Sequence, residues 1–233
     1  MPRTPGNTRH LVYDELRRRV VSLELPPGSP VSENEIAAEL GVSRTPVREA
    51  MIMLVQDGLV QVFPKVGSFV TRVDLQRVAD SQFVRESVEL ASLADVPAEP
   101  DRAVVGELTV NLARQRVCED NEQFFGLDEE FHLGLLRLAG HEGTWPAVLA
   151  AKAHLDRARR LGLTENPSPS VFVEQHAAVL DALLNDGPGA AVPLLRAHLR
   201  AVFDDIERVR RRSPELFAPS TGRPTRRSVA VWD

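Results

Sequence analysis

The sequence predicts a mainly α-helical protein in which three helices and a β-hairpin are followed by an all-helical antiparallel bundle. Two helix start signals lie close together in the first part, at Ser32 and Ser43. Two short β-prone runs follow them, at residues 59–63 and 68–72. Beyond Asp74 the apolar residues keep helical spacing, and no strand signal appears. These observations divide the chain near residue 74.

The composition is that of an ordinary soluble chain. The sequence has 233 residues, of which 43% are hydrophobic and 26% are charged, enough for one large domain or two modest ones. Its single cysteine, Cys118, excludes an intramolecular disulfide, and the charged N-terminal stretch lacks the apolar core of a signal peptide. No run approaches the roughly 18 to 20 apolar residues that a membrane span requires. We therefore expect a cytoplasmic protein with no membrane role.

The formal net charge of −5 is unevenly distributed along the chain. Residues 1–72 contain nine Lys and Arg against eight Asp and Glu, a net of +1, which leaves −6 for residues 73–233. Because binding of phosphate groups depends on local clustering of positive charge, the placement of these basic residues matters more than the total.

Three helices are predicted in the first part from their apolar spacing and their caps. The first covers Leu11–Leu23 and is ended by the Pro-Pro-Gly at 26–28. The second begins with a capping box at residues 32–35, in which a serine and a glutamate satisfy each other's free backbone N–H groups, and it ends at Gly41. The third begins at about Arg44, after Ser43, with Pro46 in its first turn.

The second and third helices form a helix-turn-helix pattern, in which the later helix would enter the DNA major groove by its N-terminal end. Arg44 and Arg48 are four residues apart and share one face, while the apolar residues fall on the other. Arginine matches the O6 and N7 acceptors of guanine, and Ser43 and Thr45 could bind phosphate near the positive end of the helix dipole. The hairpin after them is a wing, from whose tip Lys65 could reach the backbone or minor groove. Two arginines at this spacing without such surroundings would more often be solvated side chains on the exposed face of a helix.

This region resembles the winged helix-turn-helix of the GntR family of bacterial regulators. The likeness rests on LELPPGSPVSENEIAAELGVSRTPVREA and DGLVQVFPKVGSFV, and it covers residues 11 to about 73. The resemblance implies DNA contacts by five residues, namely Arg44, Thr45 and Arg48 in the recognition helix and Lys65 and Gly67 in the wing. It does not imply a DNA contact by Asn34, because many relatives have an arginine at this position.

The second part is predicted to contain six helices. They lie at Leu75–Ala94, Val104–Val117, Glu122–Leu138, Thr144–Leu161, Ser170–Leu184 and Gly189–Arg212. Loops rich in proline and glycine at 166–169 and 187–189 separate the later helices. We therefore predict a winged helix-turn-helix domain at residues 1–73, a helical domain at 74–213 and a flexible tail at 214–233.

One constellation in the helical part combines a carboxylate with three histidines. Asp128 and His132 lie one helical turn apart, so both side chains can reach one ion. His176 and His198 lie among apolar residues of two later helices. Three histidines and a carboxylate suit zinc, nickel or a similar divalent ion. Taken singly, each histidine would more often be a hydrogen-bonded core residue.

The helical part resembles the FCD ligand-binding domain of the FadR-type branch of the GntR family, over roughly residues 74 to 212. Metal-binding members of that branch have the pattern D-x-x-x-H followed by two later histidines. Four residues match it: Asp128, His132, His176 and His198. The resemblance implies a domain that binds a metal and an effector. The remaining histidines are interpreted as surface or structural residues, with the last two also able to line the cavity: His10, His141 and His154.

Arg85 stands where relatives of this type have an arginine that faces the effector cavity. Its planar fork suits the two oxygens of a carboxylate. An ion pair with Glu89, four residues further on, is an equal alternative. Arg157, Arg159 and Arg160 are weaker candidates for effector binding, since an arginine-rich stretch is usually a solvated face.

Together these patterns predict a ligand-responsive transcriptional regulator, in particular a repressor, that binds a pseudo-palindromic DNA operator as a homodimer and senses a small carboxylate. No enzymatic activity is expected. Two alternatives stay open. A metal-dependent hydrolase domain could use Glu129 or Glu130 as a base, although no H-E-x-x-H signature accompanies it. A purely structural metal in a constitutive repressor would require no effector.

Overall fold

The computed structural model describes residues 5–165 and 170–219, and the chain divides into two compact units. The first unit comprises Met1–Leu75 together with Arg212–Asp233, and the second comprises Gln76–Arg211. The chain therefore passes between the units twice, after Leu75 and after Arg211. The loop predicted at 166–169 and residues 220–233 of the predicted tail lie outside the described residues.

The first unit contains three helices and a small sheet in its described residues. The helices are α1 (Pro5–Val21), α2 (Glu33–Glu39) and α3 (Arg44–Gln56), and the strands are β1 (Pro30–Val31), β2 (Val60–Phe63) and β3 (Gly67–Val70). The sheet is antiparallel with the order β1-β3-β2. The sequence predicts the β2–β3 hairpin but not β1, because a strand of two residues is too short to show alternation.

Serines occupy the N-cap positions at the starts of α2 and α3. The hydroxyl of Ser32 accepts a hydrogen bond from the backbone N–H of Glu35 at 3.3 Å. Ser43 occupies the N-cap of α3 in an extended conformation, but its hydroxyl makes no capping bond. The apolar face of α3 is buried, including Val47 and Leu54, and this helix packs against α1. The packing leaves the opposite face of α3 at the surface.

The second unit is entirely helical within the described residues. Its helices are α4 (Leu75–Ala94, which starts at the unit boundary), α5 (Arg102–Arg116), α6 (Asn121–Leu138), α7 (Trp145–Ala151), α8 (Ala153–Glu165), α9 (Ser170–Asn185), α10 (Pro188–Arg200) and α11 (Val202–Arg212). Two predicted helices are each divided, the fourth at Lys152 and the last at Ala201. The apolar spacing continues across both breaks, so periodicity alone could not reveal them.

An apolar core joins α4, α5, α6, α9 and α10. Phe131, Val179 and Leu195 are among its fully buried side chains. Burying a side chain of this size stabilises the fold by roughly 1.5–3 kcal/mol. Gly134 brings α6 close to α5, since a Cβ atom at this position would lie 2.6 Å from Cδ2 of Leu108. The core thus sets the positions of α6, α9 and α10, the three helices that carry the predicted metal ligands.

The segment after α11 returns to the first unit. Pro214–Leu216 forms a short 3-10 turn, and Phe217 is buried beside Val73 in a parallel bridge. Val73 donates its N–H to the carbonyl of Leu216 at 2.9 Å, and Ala218 donates to the carbonyl of Val73 at 2.8 Å. The structure therefore differs from the predicted start of a flexible tail at 214, because residues 214–218 satisfy backbone groups and bury an aromatic ring.

Candidate DNA-reading surface and candidate metal centre

The N-terminal end of α3 presents the predicted DNA-contacting residues to solvent. Ser43, Arg44, Thr45 and Arg48 are all exposed, on the side of the helix away from its buried apolar face. The guanidinium of Arg44 lies 3.7 Å from the carboxylate of Glu33, an exposed contact of the kind that contributes little to stability. The helix start can therefore offer two arginines and two hydroxyls to a DNA groove without rearranging the core.

The wing tip depends on two backbone positions with positive φ. Lys65 has a φ of 63° and Gly67 a φ of 142°, and both are exposed. The second value favours glycine, since it has no Cβ to collide with the backbone. Phe63 and Phe69 pack edge to face across the hairpin with ring centroids 5.9 Å apart. The aromatic pair holds the two strands together while the tip projects the ammonium group of Lys65. Asn34 is also exposed, on α2.

Four buried side chains converge between α6, α9 and α10. Asp128 and His132 come from α6, His176 from α9 and His198 from α10, and one potential ligand atom of each lies within 4.8 Å of all the others. Nε2 of His198 lies 3.1 Å from Nε2 of His176 and 3.3 Å from Nε2 of His132. Oδ1 of Asp128 is 3.6 Å from Nε2 of His176. The structure brings all four predicted ligands together.

The outer nitrogen of each histidine has an oxygen partner. Nδ1 of His132 lies 2.7 Å from a carboxylate oxygen of Glu89, a group that can only accept when ionised. Nδ1 of His176 lies 2.8 Å from Oε1 of Gln115, and Nδ1 of His198 lies 2.8 Å from Oε1 of Gln175. Each Nδ1 therefore carries its proton outward. This leaves three Nε2 lone pairs directed at one another, which is the tautomer that metal ligation requires.

Burial and charge keep three of these groups, Asp128, His176 and His198, in the protonation states that a cation needs. Burial lowers the pKa of His176 to about 3, and it also lowers the pKa of His198 well below its usual value. Burial raises the pKa of Asp128, but nearby charges, that of Arg159 foremost, outweigh it and hold that pKa well below the ordinary range. His176 and His198 therefore present neutral imidazoles, and Asp128 presents an ionised carboxylate.

Asp128 gives the clearest indication that a cation fits. Its Oδ2 accepts a hydrogen bond from Nη2 of Arg159 at 2.5 Å, whereas its buried Oδ1 has no hydrogen-bond partner among the described residues. A buried carboxylate oxygen without a partner is costly, and it faces three nitrogen lone pairs that repel it and one another. A divalent ion would satisfy all four atoms at once, so this donor set could hold a metal.

Arg85 forms the predicted ion pair with Glu89 and also lines a cavity. It is buried on α4, and its Nε donates to Oε1 of Glu89 at 2.6 Å. Arg85 also lines a cavity with His198 and Arg159, whose remaining wall is mostly apolar and includes Phe124. The cavity has a volume of about 30 Å³, enough for only a few water molecules. His141 and His154 do not line it.

The other candidates considered from the sequence have separate partners. Arg157 is fully buried, and burial lowers its pKa to about 10. Arg160 stacks on the ring of Phe125 at 3.7 Å and pairs with a glutamate of α6. Of the two carboxylates considered as a base, Glu129 pairs with Lys152 and Glu130 hydrogen-bonds with Asn111 and Arg114 of α5.

Three supporting residues escaped the sequence analysis in this role: Glu89, Gln115 and Gln175. They lie 43, 61 and 23 positions from the histidines that they contact. No spacing rule connects residues at such distances, so only the fold could reveal them.

Comparison with known proteins identifies both parts of the chain. Residues 8–70 match the family described as bacterial regulatory proteins, gntR family, and residues 80–201 match the FCD domain. The chain is 60% identical to an HTH-type transcriptional regulator in an unstable DNA locus of Streptomyces ambofaciens, with 100% of both chains covered. It is 30% identical to the HTH-type transcriptional repressor RspR of Escherichia coli, over 93% of this chain and 96% of that protein.

The solved structures agree in fold. The chain superposes on E. coli McbR/YncC with a TM-score of 0.70 at 20% identity, over 86% of this chain and 97% of that one. Within the described residues, no helix combines the length and apolar character that crossing a membrane requires. The matched families and relatives are transcriptional regulators, which confirms the prediction of a regulator rather than an enzyme. The chain belongs to the GntR family of bacterial transcriptional regulators and joins its helix-turn-helix to an FCD domain.

Proposed function

We propose that this regulator is a homodimeric repressor whose FCD domain holds a divalent metal ion and changes its affinity for DNA when a small carboxylate binds. The observation that carries the proposal is the convergence of three histidine Nε2 atoms and an Asp128 oxygen, which has no hydrogen-bond partner among the described residues, beside a cavity that Arg85 lines. A relative that covers nearly the whole chain is named a repressor, which favours repression. The native metal is proposed to be zinc or nickel, since both accept imidazole and carboxylate ligands.

The DNA-reading role is assigned to the start of α3 and to the wing. Arg44 and Arg48 would read base edges in the major groove, with Ser43 and Thr45 on phosphates. Lys65 and Gly67 would place the wing on the adjacent backbone. Because one recognition helix reads only a few base pairs, two copies would bind a pseudo-palindromic operator with matching half-sites.

Operator titration of single variants tests this assignment. Arg44→Ala or Arg48→Ala should abolish specific binding while the fold persists, since both side chains are exposed. Lys65→Ala should weaken binding to all sequences and reduce the slope of log affinity against log salt by roughly 1. Arg116→Ala, which removes an exposed arginine from the second unit, is the matched control and should bind like wild type. Wild-type affinity in the Arg44 and Arg48 variants would exclude this surface.

The metal role is assigned to Asp128, His132, His176 and His198. A metal bound only by the folded state stabilises it by mass action, by about 2.7 kcal/mol at one hundred times its dissociation constant. Chelation should therefore lower the melting temperature of wild type, and His176→Ala should remove most of that difference. His141→Ala is the matched control, because His141 is partly exposed and lies outside the cluster. Absence of bound transition metal, with no gain on reconstitution, would contradict the proposal.

The effector role is assigned to the metal and Arg85 together. Three histidines and one aspartate leave an octahedral ion two open positions, which a carboxylate could fill in place of water. The ligand must bind one conformation of the regulator more tightly than another, since equal affinity would shift nothing. Calorimetry with small carboxylates, followed by operator titration with any hit, tests this. Binding without a change in operator affinity would favour a structural metal instead.

A further inference from the structure

The charged side chains around the cavity are already paired with one another. Arg85 pairs with Glu89 at 2.6 Å, and Arg159 pairs with Asp128 at 2.5 Å. Asp205, which lines the cavity itself, pairs with an exposed arginine of α11. Among the described residues, these three pairs are neutral in sum. A divalent ion at the four ligands would therefore add two positive charges that this wall does not compensate.

Lys152, Asp156 and Glu129 form a neighbouring cluster of charges. This cluster does not change the charge balance at the cavity wall. Asp156 lies 4.0 Å from Arg159, but it is held by the ammonium of Lys152 at 2.5 Å. Lys152 also contacts Glu129, whose side chain remains 29% exposed and is therefore solvated. Uncompensated charge in a buried site costs free energy. An anion should therefore bind most tightly when it supplies both missing negative charges.

Arg159 is placed to hold the second of these charges. One of its terminal nitrogens donates to Asp128, and among the described residues its other nitrogens make no hydrogen bond within normal distance. The side chain lines the cavity, is 15% exposed, and is kept in place by the ring of Phe125, 4.7 Å from its guanidinium carbon. A guanidinium held in this way keeps N–H groups with which it can bind a carboxylate.

We propose that the effector is a small dicarboxylate, with one carboxylate at the metal and Arg85 and the other held by Arg159. This inference rests on the proposed metal-dependent sensing function. The rest of the cavity wall is mostly apolar, with Phe124, Phe172 and Leu199, so it favours a short hydrocarbon link over a polar one. Arg159 is thus a specificity-determining residue that distinguishes diacids from monoacids.

Calorimetry on the full-length, zinc-loaded protein tests this with matched ligands. The probes are succinate, glutarate and phthalate, each compared with its own monoamide, which keeps the shape and removes one charge. Acetate, propionate and benzoate complete the series. We expect at least one diacid to bind at least tenfold more tightly than its monoamide and to change operator affinity. In Arg159→Gln the ratio of the dissociation constant of the monoamide to that of the diacid should fall towards one. Arg160→Gln, which alters the other arginine stacked on Phe125, should keep the wild-type ratio.

The outcomes separate this inference from the function on which it rests. If a monoamide or monocarboxylate binds as tightly as the diacid and changes operator affinity, carboxylate sensing stands and the two-charge requirement is overturned. If the diacid preference persists in Arg159→Gln, the assignment of Arg159 is overturned. If no carboxylate of the series binds, both the inference and the proposed effector class are overturned. The wild-type comparison of diacid and monoamide decides the charge requirement even if a variant folds poorly.

Discussion

Replacing Glu89 by glutamine tests whether one buried carboxylate supports both the candidate metal ligand and the candidate effector arginine. Glu89 is fully buried and contacts Nε of Arg85 at 2.6 Å and Nδ1 of His132 at 2.7 Å. Burial raises the pKa of Glu89, but the charges and hydrogen bonds of these two partners outweigh it and lower that pKa to about 2. The carboxylate is therefore ionised at neutral pH and accepts from both donors.

Glutamine keeps the shape of the side chain but has one acceptor oxygen instead of two. It can accept from Arg85 or from His132, and its NH₂ group then faces the other donor. Hydrogen bonds to charged groups contribute roughly 1.5–3 kcal/mol each, and loss of one partner of a buried ion pair costs about 3–5 kcal/mol. We expect the free energy of unfolding of the metal-free protein to fall by about 3 kcal/mol. Zinc affinity should fall by about 10- to 100-fold, because His132 loses its orienting partner.

Urea unfolding in the presence of a chelator measures the first effect, and competition titration of zinc against a chelator measures the second. Glu86→Gln is the matched control on the same helix. Glu86 pairs with Arg196 and Arg200, which are largely exposed, so its loss should cost under about 1 kcal/mol and leave zinc affinity unchanged. If Glu89→Gln matched Glu86→Gln in both measurements, the supporting role assigned to Glu89 would be refuted.

Three further changes probe other parts of the molecule. Gln115→Leu removes the acceptor for Nδ1 of His176 and should weaken zinc binding by about 10- to 100-fold in the same competition titration. Phe217→Ala empties a buried site in the first unit, so thermal unfolding should show a loss of about 3–5 kcal/mol, while unchanged stability would mean that the ring is not packed in solution. Hydrogen bonds from Arg18 and Arg19 lower the pKa of Glu15 from 4.5 to about 2, so its stabilising effect is present above pH 4.5 and is lost as pH falls towards 2. The stability difference between wild type and Glu15→Gln should therefore shrink between pH 6 and pH 3, and a constant difference would contradict this.

Local signals in the sequence account for much of the fold. Ser32 and Ser43 both occupy the predicted N-cap positions of α2 and α3, although only the hydroxyl of Ser32 accepts a hydrogen bond from a free N–H group of its helix. The periodicity from Leu75 to Ala94 predicts α4 with the bounds that the structure has. The breaks at Lys152 and Ala201 escaped prediction, since neither interrupts the apolar pattern.

The sequence by itself determined that Asp128 and His132 share a helix face, since residues four apart lie one turn apart on any helix. It also named His176 and His198 as partners, from their positions among apolar residues of two later helices and from resemblance to a family pattern. The tertiary structure decided that α6, α9 and α10 bring the three Nε2 atoms together, and that Glu89, Gln115 and Gln175 turn each Nδ1 outward. The physical reason is that contacts across dozens of residues depend on how the helices pack, which local spacing does not encode.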